Sequence, residues 1–259
     1  MFIHNFVGIP QGQSPLKVFK AILQRIMKPI RIFRHVACEG PGYLGVFLEK
    51  QNIPFEVVCI DEGVEVPDDL DTISGLVFMG GGMNVTDPLQ WIKDEQALIR
   101  KAIESNVPIM GICLGAQMMS AAMGGRITSG PGMEIGWHRV TAVAEHKSNA
   151  WLKDLPDELL PFHWHADTFS IPQGAVPLFN SECRQNQAFV FKNCIALQFH
   201  LEMTVDMVKE WVQLFGSDLD YGPPCAQTRD DILYKLDEKV LALNKWADII
   251  FSKWIKQLL

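Results

Sequence analysis

The segment Gly111-Ile112-Cys113-Leu114-Gly115 constrains this chain more than any other. It follows the apolar run Val107-Pro108-Ile109-Met110 and opens into Ala116-Gln117-Met118-Met119-Ser120-Ala121-Ala122-Met123. That order predicts a strand, a sharp turn and a helix. Glycines on both sides of the turn permit a bend that other residues would block, and the bend lifts one side chain above the sheet. Here that side chain is a thiol. The positive end of a helix behind it favours the thiolate, the reactive form. Cys113 is the candidate nucleophile.

A thiol nucleophile needs a base. Ile195-Ala196-Leu197-Gln198-Phe199-His200 reads as a strand ending in histidine, and Glu202 follows two residues later. On extended backbone His200 and Glu202 face the same side. Glu202 can then orient the imidazole and stabilise its charged form, the part an acidic third member plays in a triad.

The rest of the first half alternates in the same way. Strands are predicted over residues 30–36, 55–60, 76–79 and 109–112, with helices over 43–51 and 91–104. Apolar strands alternating with helices imply an α/β fold with a mainly parallel sheet covered on both faces. Sites in such sheets lie beyond the carboxyl ends of the strands. Gly80, Cys113 and His200 each follow a predicted strand, so one architecture can unite them. Residues 139–201 change to shorter strands, at 140–144, 176–180, 188–191 and 195–199, which form a small added β region. A helix is expected over 204–215 with Thr204 as its cap, a loop over 216–227, and a helical stretch from Thr228 to the end. Leu233, Leu236, Val240, Leu243, Trp246 and Ile250 make an apolar stripe there, which should pack on the parent domain.

The motifs together resemble the class I glutamine amidotransferases. Gly-Ile-Cys-Leu-Gly-Ala-Gln at 111–117 and Gln-Phe-His-x-Glu at 198–202 match the family's nucleophile and base blocks. Gly75-Leu76-Val77-Phe78-Met79-Gly80-Gly81-Gly82-Met83-Asn84 resembles its strand and glycine-rich oxyanion loop. Glu134-Ile135-Gly136-Trp137 and His163-Trp164-His165-Ala166-Asp167-Thr168-Phe169 are similar to the stand-alone, GMP-synthase-like branch. The likeness runs from about Ile30 to about Phe215. It implies a flavodoxin-like glutaminase fold and hydrolysis of the γ-carboxamide of glutamine by Cys113, His200 and Glu202, with no metal or organic cofactor. It also implies an oxyanion hole from the Gly81 and Leu114 amides, and contacts to substrate from Gly80, Gly82, Gln117, His165, Ala166 and Asp167. Trp137 and Trp164 read as pocket wall or core. His163-x-His165 has metal-ligand spacing, but no third ligand is evident nearby, so no metal site is expected.

Two positions depart from the family pattern. Gly82 stands where the family usually has proline, which leaves the oxyanion loop less restricted. Leu201 stands between the two triad residues where proline is usual. Neither change removes a reacting group. No Ser-Gly-Gly-x-Asp-Ser signature of an ATP pyrophosphatase is present, so ammonia would go to an acceptor or synthase subunit on a separate chain. The same triad would also serve a γ-glutamyl peptidase or hydrolase. A regulatory module that kept the fold without catalysis is a third reading.

Composition sets the remaining bounds. The 259 residues suffice for a substantial core. A net charge of −7 supplies no basic footprint for nucleic acid. No apolar run is long enough to span a bilayer. Six cysteines lie scattered, without CxxC, which points to free thiols in a reducing compartment, the cytoplasm. Residues 1–28 carry Lys17, Lys20, Arg25 and Lys28 and no acid, and Leu16, Phe19, Leu23 and Ile26 fall at helical spacing. This stretch is expected to be an extension, without a secretory signal pattern, ahead of a domain over 29–259. Residues 216–259 form the domain's C-terminal helical extension.

Overall fold

The central strands are apolar throughout because both of their faces are covered. The computed structural model describes residues 28–222 and 224–258. Its first half runs β1 (Ile30–Arg34), α1 (Gly42–Lys50), β2 (Phe55–Cys59), β3 (Gly75–Phe78), α2 (Gln90–Glu104), β4 (Ile109–Ile112) and α3 (Leu114–Ala122). The second half supplies β5 (Ile127–Trp137), β6 (Val140–Ala142), β7 (Glu158–Leu159), β8 (Phe162–Phe169), β9 (Val176–Ser181), β10 (Ala188–Phe191) and β11 (Cys194–Leu197). Nine strands form one sheet in the order β2-β1-β3-β4-β11-β10-β9-β6-β7. Pairing is parallel from β2 to β11 and antiparallel from β11 to β7. The α/β architecture is as expected, and most of the added β region extends the same sheet. Strands β3, β4 and β11 are buried at every position, and their carboxyl ends carry Gly80, Cys113 and His200.

Three strands escape the sequence reading: β5, β8 and the two-residue β7. Residues 163–169, for which no strand was expected, belong to β8, which pairs with β5 in a separate antiparallel ribbon. Gly130 and Gly132 interrupt β5, where the register shifts between Ser129 and Glu134. That break removes the alternation by which a strand is recognised.

The C-terminal helices clamp the sheet from one side. Thr204 caps α4 (Val205–Leu214), its hydroxyl accepting from the Met207 N–H at 3.2 Å. Residues expected as a loop after it include a 3₁₀ turn, Gly216–Tyr221. Thr228 caps α5 (Arg229–Leu233), and α6 (Leu236–Ile255) follows after Lys235, at φ 51°, breaks the helix. The expected apolar stripe does pack on the parent domain. Leu236, Val240, Leu243 and Ile250 are buried, with Leu233 and Trp246 partly so. Tyr43 on α1 donates to Asp248 on α6 at 2.9 Å, and Phe47 meets Phe251 edge-on. The basic amphipathic segment lies outside the described residues, apart from Lys28.

The cysteines depart from expectation. Cys183 and Cys225 form a disulfide, whereas Cys38, Cys59, Cys113 and Cys194 are free. The partners are 42 residues apart, so no local spacing announces the pair. The fold unites them by setting Ala226 beside Ile135 of β5, close to the turn after β9. Closing a loop of 42 residues restricts the unfolded chain, and such a bond typically contributes about 2–4 kcal/mol. Protein prepared without reductant should yield the linked pair in non-reducing peptide mapping. Replacing both residues by serine should lower stability in urea unfolding by that amount, and two free thiols at these positions would contradict the pairing.

Candidate active site

Cys113 sits at φ 50° and ψ −106°, a conformation that costs a side-chain-bearing residue about 1–3 kcal/mol. Three backbone hydrogen bonds hold it there. The Cys113 N–H donates to Leu197 O at 2.8 Å, Gly115 to Met79 O at 3.2 Å, and Gln117 to Cys113 O at 3.0 Å. A Cβ on Gly115 would overlap the Phe78 carbonyl oxygen, so only glycine lets β3 approach the turn. Leu114 opens α3, which leaves its N–H without a partner inside the helix. The sulfur accepts from Gln198 Nε2 at 3.6 Å and lies 3.9 Å from Trp164 O.

His200 and Glu202 come together as the sequence suggests. The His200 N–H donates to Phe162 O at 2.8 Å, which prolongs the extended backbone beyond β11. Nδ1 donates to Glu202 Oε1 at 2.7 Å, and both side chains are almost wholly buried. Among the described residues Nε2 has no conventional hydrogen-bond partner. Burial opposes a charge on this ring, but the Glu202 carboxylate and the Cys113 sulfur outweigh it and hold the His200 pKa well above its ordinary value. Trp211 packs edge-on against the imidazole at 4.9 Å.

The glycine loop is anchored by a pair that sequence reading missed. His35 Nδ1 donates to Gly80 O at 2.9 Å, and its Nε2 lies 3.0 Å from a Glu95 carboxylate oxygen. Both side chains are fully buried. Burial depresses the imidazolium, but Glu95 and the Gly80 carbonyl raise the His35 pKa above its ordinary value; burial raises that of Glu95 despite His35. The pair holds a proton between its members. In a trans peptide the C=O and the following N–H point in opposite directions. With its carbonyl drawn toward His35, the Gly80–Gly81 peptide turns the Gly81 N–H the other way. The departure from proline at Gly82 falls beyond this anchor.

A cavity of about 200 Å³ opens above Cys113. It is smaller than the roughly 300–1,000 Å³ of drug-sized sites and suits a substrate of amino-acid size. Gly81, Gly82, Gln117, His165, Ala166 and Asp167 line it, with Trp164, Trp211, Phe215, Asp218 and Glu39. Gly80 is not among the lining residues. Gln117 is tied to Asp167 O and Gln198 Oε1, both at 3.3 Å. Trp164 is pocket wall, held by Asp218 at 3.0 Å, and Trp137 is core.

Behind His165 the fold supplies the third charged group that sequence spacing did not show. Glu134, His163 and His165 are all buried, and one ligand atom from each lies within 4.8 Å of the others. Ser181 and Gln187 each donate to the Glu134 carboxylate at 2.7 Å. His165 donates through Nδ1 to Asp167 O at 2.9 Å, which turns Nε2 toward Glu134 Oε2 at 3.2 Å. Burial opposes the Glu134 charge, but His163, His165 and Ser181 hold its carboxyl well below the ordinary carboxylate range. Burial also pushes His163 down to about 3. The network fixes the ribbon strand that lines the cavity.

The glutamine amidotransferase class-I family model matches residues 47–214, and the chain belongs to that family. Among solved structures, a glutamine amidotransferase from Methylobacillus flagellatus shares 40% identity and a TM-score of 0.86, covering 90% of this chain and 96% of its own. The chain is 28% identical to the glutamine amidotransferase-like protein YfeJ of Salmonella typhimurium, over 69% of this chain and 77% of YfeJ. It is 31% identical to a subunit of the glutamine-hydrolysing GMP synthase of Thermoplasma acidophilum, over 53% of this chain and 70% of that one. With gamma-glutamyl peptidase 4 of Arabidopsis thaliana it shares 26% identity over 54% of this chain and 58% of the peptidase.

The Glu134 network also sets an acid limit. His163 and Glu134 both have folded pKa values below their ordinary ones. At these two groups the unfolded chain takes up protons that the folded chain refuses, so their contribution to stability falls as pH drops below about 6.5. Between pH 7 and pH 4.5, urea unfolding should show a loss of roughly 2 kcal/mol traceable to His163. His163→Gln removes that titration and should flatten the decline over this range. An unchanged slope in the variant would contradict the neutral, buried state of His163.

Proposed function

We propose that this chain hydrolyses the γ-carboxamide of glutamine through a γ-glutamyl thioester on Cys113 and releases ammonia for a separate acceptor or synthase subunit. The observation that carries this reading is the buried His200–Glu202 pair, 2.7 Å apart, beside a nucleophile elbow at the head of an amino-acid-sized cavity. His200 takes the Cys113 proton, and the thiolate attacks the γ-carbonyl carbon. The Gly81 and Leu114 amides stabilise the oxyanion, where one donor is typically worth about 10²–10³ in rate. His200 returns the proton to the leaving nitrogen. Water, activated by the same ring, then hydrolyses the thioester to glutamate. No step requires a metal or organic cofactor.

The relative from Thermoplasma acidophilum, named as one subunit of a GMP synthase, supports an acceptor on another chain. The net charge of −7 favours no nucleic-acid partner. Among the described residues no helix is long and apolar enough to cross a membrane, and we take membranes to play no part. We place the protein in the cytoplasm on its four free thiols; there Cys183 and Cys225 would be held reduced. A γ-glutamyl peptidase is the second reading, favoured by the match to gamma-glutamyl peptidase 4.

Cys113→Ala should abolish covalent labelling by a glutamine-mimicking diazoketone, and mass spectrometry should place wild-type label on Cys113. His200→Ala should lower kcat/KM for glutamine by about 10⁴–10⁶, and Glu202→Gln by less. The Cys113/His200 double variant should be little worse than either single one, because the two act as a unit. Label on another cysteine, or additive losses, would defeat the assignment.

The anchor under the glycine loop gives a separate expectation. His35→Ala frees the Gly80–Gly81 peptide and should lower kcat by up to about 10²-fold, the worth of one oxyanion donor, with less change in KM. Among the described residues no atom lies within 4 Å of where a side chain on Gly82 would begin, so Gly82→Pro should alter kcat far less. Equal effects of the two would contradict the anchor.

A further inference from the structure

Glu39 takes no part in the chemistry above, yet its side chain is 8% exposed and lines the Cys113 cavity. The loop that carries it leaves β1 and arches over the candidate base. Trp211 Nε1 donates to Cys38 O at 3.0 Å, and the Tyr43 N–H donates to Glu202 O at 2.7 Å. A Cβ on Gly80 would overlap Glu39 Oε2 and come within 3.1 Å of His200 Cε1. Glycine at position 80 is therefore what lets the carboxyl share the space beside the imidazole. The Glu39 carboxyl accepts no hydrogen bond among the described residues. Burial pushes its pKa up to about 7, with His200 and His35 pulling it down and Glu202 pushing it up. A carboxyl kept unpaired in a cavity is costly unless something brought into the cavity pairs with it.

The path of the proton fixes which end of a substrate meets Glu39. In acylation the Cys113 Sγ–carbon bond forms and the carbon–nitrogen bond breaks. The thiol proton passes through His200 to the leaving nitrogen, which departs as a free amine. That nitrogen must therefore sit against Nε2 of the His200 ring, whose neighbouring Cε1 shares the space beside Gly80 with the Glu39 carboxyl. The glutamyl end extends away, toward Gln117, His165 and Asp167. The charge of the cavity is one-sided as well. Among the described residues Glu39, Asp167 and Asp218 line it and no lysine or arginine does, so none of these walls compensates a carboxylate on the leaving group. Trp211 and Phe215 supply an apolar wall that an alkyl chain can follow.

We propose that Glu39 forms a leaving-group subsite for ammonia and for primary amines without a carboxylate, and that it turns away γ-glutamyl peptides, whose leaving group is an amino acid. This rests on the amide-hydrolysis reading above and narrows it. The Glu39 oxygens accept N–H from the departing amine or pair with a second ammonium farther along an alkyl diamine. A like charge facing a leaving-group carboxylate, partly shielded from water, supports a discrimination of about tenfold or more.

The test measures kcat/KM of the full chain for glutamine, γ-glutamylethylamide, the mono-γ-glutamyl amide of 1,4-diaminobutane, and γ-glutamylglycine. Diazoketone labelling of Cys113 is followed in parallel. The wild type should favour the first three over γ-glutamylglycine by about tenfold or more. Glu39→Gln should shrink that preference to within about threefold, with the largest loss on the diamine derivative. If Glu39→Gln slows all four substrates by one common factor, the residue is structural and the subsite is refuted. A wild type that prefers γ-glutamylglycine refutes it too. If Glu39→Gln does not fold, the wild-type preference alone decides. Absence of both turnover and Cys113 labelling would overturn the hydrolase reading itself and this inference with it, whereas labelling and turnover without the predicted preference would overturn the subsite only.

Discussion

The backbone of Cys113 is the constraint on which the site depends. A left-handed φ of 50° is unfavourable for cysteine, and it persists because neighbours on the two flanking strands, β3 and β11, define it. Leu197 on β11 takes the Cys113 N–H, Met79 beyond β3 takes the Gly115 N–H, and Gly115 packs where no side chain fits against Phe78. The same contacts set β3, β4 and β11 side by side with their carboxyl ends level. Gly80, Cys113 and His200 thus meet because the parallel register that buries the core also fixes the turn.

A second theme is the pairing of buried ionisable groups around that turn. His200 is held by Glu202, His35 by Glu95, and His165 by Glu134. Each carboxylate is buried at a cost that only charge-assisted hydrogen bonds offset. Each pair fixes one element of the proposed chemistry: the base, the peptide of the oxyanion loop, and the strand that lines the substrate cavity. Glu39 is the exception, a buried carboxyl that faces the cavity without a hydrogen-bond partner among the described residues. That contrast is why it reads as a group waiting for a ligand rather than as part of the scaffold.

Much of this was legible in the chain. The strand–turn–helix at Cys113 and the His200-x-Glu202 spacing are local patterns, and local geometry decides them. The missing parts are non-local. His35 and Glu95 are 60 residues apart; the only hint in the sequence is that Glu95 falls on the apolar face of α2 beside Ile92, Leu98 and Ile99. Strand β5 was hidden by the glycines that interrupt it, and β8 lost its status with its partner. The Cys183–Cys225 bond joins two turns that nothing in the spacing connects. The nearness of Glu39 to His200 depends on a loop after β1 that reaches Trp211 and Glu202 late in the chain, which no periodicity encodes.

The central claim is that an amide is cleaved through a covalent bond to Cys113. Mixing the protein with glutamine, quenching in acid on the millisecond-to-second scale and mapping peptides by mass spectrometry tests it most directly. The account predicts a γ-glutamyl adduct on the Cys113 peptide that forms and decays during turnover and is longer-lived when hydrolysis of the thioester is slowed. Glutamate and ammonia produced with no adduct on Cys113, or with an adduct on Cys38, Cys59 or Cys194, would contradict it.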